Sequence, residues 1–351
     1  MTTTLSDFDG LLHWDALQAW VAAQDLPGSG PVTGVERLTG GSQNSLFMLH
    51  RGDTRMVLRR PPKHLRANSN DTMLREARVL AALRGSAVPH PGFLAVCGDP
   101  AVTGAAFYLM EPLDGFTPMG ALPAPYATDA TFRRRMGAEF VHAAATLGAV
   151  DHVAAGLADF GKPEQWLERQ VSRWRSQLEG YRDTPGYPGD ALPHVDTVGD
   201  WLERHRPSTC RMGIIHGDFQ FANVMFDRER PRLVGLVDWE LSTLGDPLLD
   251  LGWLLTSWTE AGDPAVAGRG PAVTPWDGFM SRDELVRLYG DISGRDMSAM
   301  PWFFVLACFK LACLLEGSYA RACAGKASVD MGNFLHNYAL WLMAKARQLA
   351  E

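Results

Sequence analysis

The chain contains few cysteines, and their arrangement argues against two classes of protein. Only five of its 351 residues are cysteine, and they include no C-x-x-C pair and no short spacing to histidine. A disulfide-stabilised secreted domain needs paired cysteines, and a structural zinc site needs cysteine or histidine ligands at short spacing. The pattern therefore predicts reduced thiols in a cytoplasmic protein and argues against zinc.

Long apolar runs and a surplus of basic residues are also missing. The most apolar run, Trp302 to Phe309, ends at Lys310 and is too short to cross a bilayer. The first residues lack the basic and apolar regions of a signal peptide. The 33 basic and 40 acidic residues give a formal net charge of −7, unlike a nucleic-acid-binding surface. We therefore expect neither a membrane nor a nucleic acid as partner.

The remaining composition is that of a large globular protein. With 351 residues, of which 46% are hydrophobic, the chain can bury a sizeable core. Strand patterns prevail in the first third, and helical periodicity prevails after it. We expect lobes over residues 1–113 and 114–351. Helices are predicted over Phe132 to Leu147, Glu164 to Glu179, Val195 to His205, Pro301 to Ala322 and Val329 to Leu349.

The most informative segment reads IIHGDFQFANVMFDRERPRLVGLVDWE and begins at Ile214. It places Asp218 five residues before Asn223, and Asp238 closes a later apolar run. One carboxylate to orient a hydroxyl, with an amide and a second carboxylate for magnesium, are the parts that phosphoryl transfer needs. An HGD triplet alone is common, and a lone Asp is more often a turn residue. The complete spacing favours the functional interpretation.

The same segment predicts a β-hairpin that supports this interpretation. Asn223 to Phe226 and Arg232 to Asp238 are short strand patterns, and a charged turn that contains proline separates them. Asn223 begins the first strand and Asp238 ends the second, so both residues are expected at one end of the hairpin. Gly217 lets the chain turn tightly beside Asp218.

These motifs resemble the catalytic core of the aminoglycoside phosphotransferase and choline kinase-like family, small-molecule relatives of the protein kinases. In that family H-G-D-x-x-x-x-N replaces the protein-kinase H-R-D-x-x-x-x-N, and D-x-E or D-x-D replaces D-F-G. The resemblance implies that Asp218 is the catalytic base or hydroxyl-orienting carboxylate, and that Asn223 and Asp238 bind Mg²⁺. It gives His216 a structural role in the catalytic loop.

The segment after the hairpin also resembles the family. Gly245 to Gly252 is similar to its G-D-P-x-x-D-L motif, and the resemblance implies that Asp250 braces the catalytic loop. Asp246 is predicted to cap a helix whose first turn contains Pro247. Both acids are also ordinary residues for the start of a helix.

The amino-terminal third is expected to bind the nucleotide. Val35 to His50 reads as two strands around a Gly-Gly turn, and the amides of Gly40, Gly41 and Ser42 are candidates for binding phosphate. Taken alone, Gly-Gly between strands is more often a plain hairpin, and the order of the elements favours the phosphate site. A third strand pattern, Arg55 to Arg59, follows where a kinase carries its basic phosphate-binding residue.

That basic residue is arginine here, whereas most kinases have lysine. Arg59 and Arg60 fall on opposite faces of the predicted strand, so only one can face a nucleotide, and we favour Arg59. Two solvated arginines at a strand end are the alternative. Glu76 lies in the middle of a predicted helix, where the resemblance implies a partner for the strand base. It also fits as an exposed helix glutamate.

Two further regions are candidates for ligand contacts. Phe107 to Gly115 reads as a buried strand that ends in a turn, like a kinase hinge, with adenine bound by main-chain groups near Glu111 and Leu113. Polar residues on the late apolar helix, Tyr319 and Arg321 among them, are possible acceptor contacts. Ordinary burial and solvation explain those polar residues equally well.

The resemblance can be narrowed to one branch of the family. Leu58 to Pro62, Val88 to Pro91 and Cys97 to Pro100 look like the kinase domains attached to some acyl-CoA dehydrogenase-like proteins. The resemblance implies an α+β, bilobal protein-kinase-like fold, with ATP and Mg²⁺ required, and a hydroxyacyl-CoA as acceptor. Alternatives are an aminoglycoside or other small-alcohol kinase and a non-catalytic nucleotide-binding pseudokinase.

Overall fold

The protein divides into two compact units. The computed structural model describes residues 10–38, 44–264 and 271–351. The first unit comprises Met1–Gly115, Ala155–Leu157 and Val234–Ser242, and the second comprises Phe116–Ala154, Ala158–Leu233 and Thr243–Glu351. Asp238 therefore belongs to the first unit, although it follows the HGD loop (His216 to Asp218) in sequence.

The first unit is built on a five-stranded antiparallel sheet with strand order β1-β2-β3-β5-β4. Burial alternates along β2, because successive side chains of a strand point to opposite faces. Phe47 and Leu49 of β2 pack in one core with Leu17 and Leu109. The strands are β1 (Val32–Leu38), β2 (Ser45–Arg51), β3 (Thr54–Arg60), β4 (Phe93–Cys97) and β5 (Phe107–Met110).

Among the described residues of this unit, three α-helices accompany the sheet: α1 (Trp14–Ala22), α2 (Ser69–Ala82) and α3 (Pro100–Thr103). The buried side of α2 carries Met73, Ala77 and Leu80 at helical spacing, and Glu76 lies within the same stripe. The periodicity that predicted α2 is therefore correct. A fully buried carboxylate in an apolar stripe requires partners of its own.

The second unit is mostly helical, as expected. The longest helix, α9, is largely buried and packs against α5, α6, α7 and α10. The helices are α4 (Ala130–Gly148), α5 (Arg169–Glu179), α6 (Val195–Arg204), α7 (Leu248–Ser257), α8 (Arg282–Ser293), α9 (Met300–Cys323) and α10 (Val329–Ala350).

Short strands complete the structure. The pairs β6–β11 and β7–β10 lie within the second unit, and β7 leads directly into the HGD loop. The strands are β6 (Gly120–Ala121), β7 (Gly213–Ile215), β8 (Val224–Phe226), β9 (Leu233–Leu236), β10 (Thr243–Gly245) and β11 (Val273–Thr274). The expected turn after β8 is closed by the amide of Asp227, which donates to the Arg232 carbonyl at 2.9 Å.

Helix α9 is long and apolar enough to cross a membrane by length and composition alone. However, 72% of its most apolar window is buried inside the protein. This burial, with α7 and α10 packed against it, is that of a core helix.

Several element boundaries differ from the predictions. Asn223 ends a 3-10 turn, and the strand starts one residue later. Pro247, not Asp246, occupies the cap position of α7. Helix α5 starts at Arg169 rather than at Glu164, after a residue, Gln165, with positive φ. Helix α8 was not predicted, although its capping box from Ser281 to Glu284 is readable in the sequence.

The contact between α7 and α9 yields a prediction about stability. A Cβ atom at Gly252 would lie 2.7 Å from the carbonyl oxygen of Phe303, which is backbone and cannot rotate away. We expect Gly252→Ala to lower the free energy of unfolding by about 1–3 kcal/mol through overpacking. In α8, Gly290→Ala is the matched control, because its Cβ would meet the flexible Met297 side chain at 2.9 Å, whereas the nearest backbone atom, the Arg295 carbonyl oxygen, lies 3.7 Å away. Urea unfolding measures both, and equal stability of Gly252→Ala and the parent would contradict this account.

Candidate active site

The HGD loop leaves β7 and is held by a buried carboxylate. Asp250, at the start of α7, accepts hydrogen bonds from the amides of His216 at 2.6 Å and Gly217 at 2.9 Å. Gly217 has φ +85, a value that favours glycine, so the turn requires this residue. Burial raises the pKa of Asp250, although His216, both amides and Lys310 counteract this rise.

The carboxylate of Asp218 is held by three side chains. Its Oδ1 accepts from Gln220 Nε2 at 2.6 Å and from Trp253 Nε1 at 2.9 Å. Its Oδ2 accepts from Asn223 Nδ2 at 2.7 Å, and the same amide also donates to the Asp218 carbonyl. Since a carboxylate oxygen has about two acceptor positions, Oδ2 keeps one for a further donor. Among the described contacts, Oδ2 is therefore the less occupied oxygen of this carboxylate.

Two of these three donors were not identified from the sequence. Gln220 lies two residues after Asp218, and nothing in its position distinguished it from a loop residue. Trp253 follows Asp250 by three residues in α7, so the two side chains lie on one helix face. That spacing is a readable signal once Asp250 is placed beneath the loop.

His216, the first residue of the HGD loop, and Asp246, which precedes α7, are both buried and make structural contacts. The imidazole of His216 is fully buried and packs edge-on against Phe219 with centroids 6.2 Å apart. Asp246 forms a two-point ion pair with Arg295, at 2.7 and 3.0 Å, and accepts from the amide of Leu248 at 3.0 Å. These contacts fix the backbone around the HGD loop and the start of α7.

The first unit holds a second charged cluster around Arg59 of β3. The guanidinium contacts Glu76 Oε2 at 2.9 Å and Asp238 Oδ1 at 2.5 Å. The hydroxyl of Tyr108 also donates to Glu76 Oε2, at 2.9 Å. Burial alone would lower the pKa of Arg59, but Glu76, Tyr108 and Asp238 together raise it. The arginine is therefore a permanent cation held between two acids.

Asp238 has a backbone conformation that is uncommon for aspartate. Its φ of 65 and ψ of 67 place it in the left-handed region. Carboxylate oxygens of Glu76, Asp238 and Glu240 lie within 4.8 Å of one another and could hold a metal ion. Oxygen ligands of this kind suit Mg²⁺. Glu240 was not identified as a candidate ligand, although its D-x-E spacing is visible.

In the structure, Arg59 and Arg60 have different partners. Both side chains are buried, but they point to different partners, as the alternation along β3 predicts. Arg60 donates to the main-chain carbonyl of Leu11, whereas Arg59 faces the acids. Burial lowers the pKa of Arg60. Within this pair Arg59 joins the acidic cluster and Arg60 does not, and a nucleotide contact by Arg59 stays a prediction.

Of the five remaining nucleotide candidates, the structure describes two, Glu111 and Leu113. Gly40, Gly41 and Ser42 lie outside the described residues. The amide of Glu111 donates to the Gly92 carbonyl at 2.8 Å, so that donor is already used within the protein. Leu113 packs against Gly235, where a Cβ would lie 2.3 Å from Leu113 Cδ1.

The two acceptor candidates on α9 are Tyr319 and Arg321, and the contacts described for them are with residues outside the HGD loop. Tyr319 stacks on His336 of α10 with centroids 4.2 Å apart and lies edge-on to Tyr187. Arg321 is exposed near the end of the helix. Lys310, which contacts the Gly217 carbonyl, is eleven residues away, so Arg321 lies about 16 Å further along the helix axis.

Comparison with known proteins identifies the family and the fold of this chain. Residues 34–273 match the model of the phosphotransferase enzyme family, and the chain belongs to that family. The chain is therefore grouped with the phosphotransferases, and the expected α+β fold is confirmed. The chain is 30% identical to acyl-CoA dehydrogenase family member 11 of Rattus norvegicus over 88% of its own length. It spans only 39% of that relative.

Solved structures agree with this assignment. A Ralstonia eutropha protein assigned provisionally to the aminoglycoside phosphotransferases is 31% identical, with a TM-score of 0.79 over 95% of this chain and 98% of that chain. A thermostable mutant of aminoglycoside phosphotransferase APH(4)-Ia, in ternary complex with AMP-PNP and hygromycin B, is 15% identical. Its TM-score of 0.58, over 92% of this chain and 94% of that chain, shows a shared fold.

The Arg59 cluster yields a prediction about nucleotide binding. Tyr108→Phe removes the hydrogen-bond donor to Glu76 Oε2, which keeps its ion pair with Arg59. Among the described residues Glu76 Oε1 has no hydrogen-bond partner. We expect the free energy of unfolding to fall by about 1–3 kcal/mol, because a buried carboxylate loses a donor. We also expect affinity for Mg-AMP-PNP to fall about tenfold, which is about 1.4 kcal/mol, since Glu76 orients Arg59.

The control for this variant is Tyr126→Phe in the second unit. Tyr126 is buried, and its hydroxyl donates to the carbonyls of Asp227 and Arg230. Tyr126→Phe should reduce stability and leave nucleotide affinity as in the parent. Calorimetric titration measures the affinities, and an unchanged affinity in Tyr108→Phe would contradict the role given to Glu76.

Proposed function

We propose that this protein transfers the γ-phosphate of ATP to a hydroxyl group of a hydroxyacyl-CoA. The observation that carries the reaction is the carboxylate of Asp218, fixed by Gln220, Asn223 and Trp253 with one acceptor position of Oδ2 remaining. Phosphoryl transfer depends on positioning and charge neutralisation more than on covalent chemistry. A carboxylate held by three donors suits that requirement.

Asp218 would bind the acceptor hydroxyl and take its proton. The hydroxyl donates to Oδ2, and its oxygen attacks the γ-phosphorus of ATP as the bond to the leaving oxygen of ADP breaks. The proton of the hydroxyl passes to Asp218. Asn223 donates its Nδ2 to Asp218. Its Oδ1, the acceptor atom of the amide, is the atom that would bind a metal.

The first unit would supply the contacts to the nucleotide. Arg59 carries a permanent charge and a planar group that can contact two phosphate oxygens. The family motif assigns Mg²⁺ to Asn223 and Asp238, and the oxygen donors of Asp238 and Glu240 fit such an ion. When bound, Mg²⁺ neutralises charge on the phosphates. Arg59 would leave Asp238 to reach phosphate, because both functions need the same guanidinium.

The acceptor class is supported by the relatives. Rattus norvegicus member 11 carries acyl-CoA dehydrogenase in its name, and this chain matches 39% of that protein. An acyl-CoA thioester with a hydroxyl group would serve both a phosphotransferase and a dehydrogenase. The structural neighbour with AMP-PNP and hygromycin B supports a nucleoside triphosphate as donor.

The test of this function is direct detection of the product. The purified protein would be incubated with Mg-ATP and separate panels of hydroxyacyl-CoAs, aminoglycosides, amino alcohols and sugars, and mass spectrometry would identify phosphorylated acceptors. We expect product from the hydroxyacyl-CoAs. Asp218→Asn should reduce the rate by about 10²–10⁴-fold, the contribution typical of a positioned general base.

Two further variants accompany this experiment, one as a control and one as a test of the proposed metal ligand. Asp283→Asn changes an exposed acid in the first turn of α8 and should retain the parental rate. Asp238→Asn should weaken binding of Mg-nucleotide. Product from aminoglycosides alone would contradict the proposed acceptor, whereas nucleotide binding without product in any panel would favour a pseudokinase.

A further inference from the structure

Lys310 of α9 is a buried cation with unusual surroundings. Its side chain lies in the interior of the second unit, where an unpaired charge is costly. The ammonium contacts the Gly217 carbonyl at 3.4 Å and the faces of two indoles, with centroids at 4.5 Å for Trp253 and 5.7 Å for Trp174. A helix that only packs in a core would bury a leucine or methionine here at lower cost.

Both principal contacts of Lys310 lead to Asp218. Gly217 directly precedes Asp218, so the ammonium contacts the loop at its turn. The indole of Trp253 has the ammonium over its face and donates its Nε1–H to Asp218 Oδ1 at 2.9 Å. A cation on an indole face draws electron density from the ring, so the ring N–H becomes a stronger donor.

The charged groups that face Lys310 come from three elements. Asp250 belongs to α7, Asp218 to the HGD loop and Arg173 to α5. Burial lowers the pKa of Lys310 to about 8; Asp250 and Asp218 counteract this effect, and Arg173 adds to it. The ammonium is therefore a positive charge close to two acids, and its pKa of about 8 lies below that of an ordinary lysine.

We propose that Lys310 is a positioning residue for Asp218, which it orients through the ring of Trp253 and the Gly217 carbonyl. The proposal rests on the function proposed above for Asp218. Lys310 touches neither the acceptor nor the nucleotide in this account. Its protonated form keeps the Trp253 N–H directed at Oδ1, and this leaves Oδ2 for the hydroxyl.

Lys310→Met separates this role from simple packing. Methionine retains much of the length of the lysine stem and removes the charge. Replacing a buried charge by an apolar side chain is often neutral or stabilising. We expect an unchanged or higher melting temperature, with kcat about five- to thirtyfold lower, the range of a desolvated cation–π contact. The KM for Mg-ATP should remain unchanged.

The pH dependence of kcat is a further measurement. A side chain that only packs in the core would not change it. In the parent, kcat should fall as pH rises through about 8, because neutral Lys310 no longer supports Trp253. In Lys310→Met this alkaline decline should be absent. A parental kcat in Lys310→Met, or an unchanged alkaline decline, would overturn the proposal.

Lys345→Met is the matched control. Lys345 of α10 is equally buried but forms an ion pair with Asp263 at 3.0 Å. Its replacement leaves an acid without that partner, so the melting temperature should fall while kcat and its pH profile stay parental. Loss of kcat in both variants with the same change of melting temperature would overturn the proposal.

A spectroscopic measurement tests the coupling without any turnover. The indole N–H signal of Trp253, assigned by its loss in Trp253→Phe, would be followed by NMR between about pH 7 and 10. We expect this signal to titrate in the parent and to lose that titration in Lys310→Met. A Trp253 signal that does not titrate, or that titrates equally in both proteins, would overturn the proposal. If the parent phosphorylates no acceptor, the proposed function fails, and this measurement still decides the role of Lys310.

Discussion

The capture of two backbone amides by the buried carboxylate of Asp250 is the interaction on which the candidate site depends. Because the amides of His216 and Gly217 are fixed at 2.6 and 2.9 Å, the next residue, Asp218, has a defined position. Gly217 permits the turn, and α7 supplies the acid and also Trp253. Helix α7 thus sets both the path of the loop and the direction of its carboxylate.

Each unit holds one candidate carboxylate, and the partners of the two carboxylates differ in charge. In the second unit, neutral donors surround Asp218, and in the first, the cation Arg59 binds Asp238. The difference matters for chemistry. Under the proposed function, Asp218 would accept the hydroxyl without losing a partner, whereas Asp238 would have to release Arg59 to bind a metal. The left-handed backbone of Asp238 is a conformation that recurs at functional sites.

The sequence predicted the parts of the structure that have a local signal. The stripe of α2, the long helices α9 and α10 and the strand pattern of β3 follow from periodicity, and the family and fold are confirmed. The roles of Asp218, Asn223 and Asp238 remain predictions. Tyr108 could not be predicted as the partner of Glu76, because the two lie 32 residues apart along the chain. Trp253 lies 35 residues from Asp218, and its spacing to Asp250 becomes a signal only once Asp250 is placed beneath the loop. Tertiary packing alone brings such pairs together.

The most direct test of the account is the single-turnover rate of Asp250→Asn with saturating Mg-ATP and acceptor. An amide has one acceptor oxygen instead of two, so one of the two loop amides loses its partner, at a cost of about 1–3 kcal/mol. The account predicts a transfer rate at least about tenfold lower, with affinity for Mg-nucleotide as in the parent. A parental transfer rate in a folded Asp250→Asn would contradict the claim that this carboxylate positions Asp218.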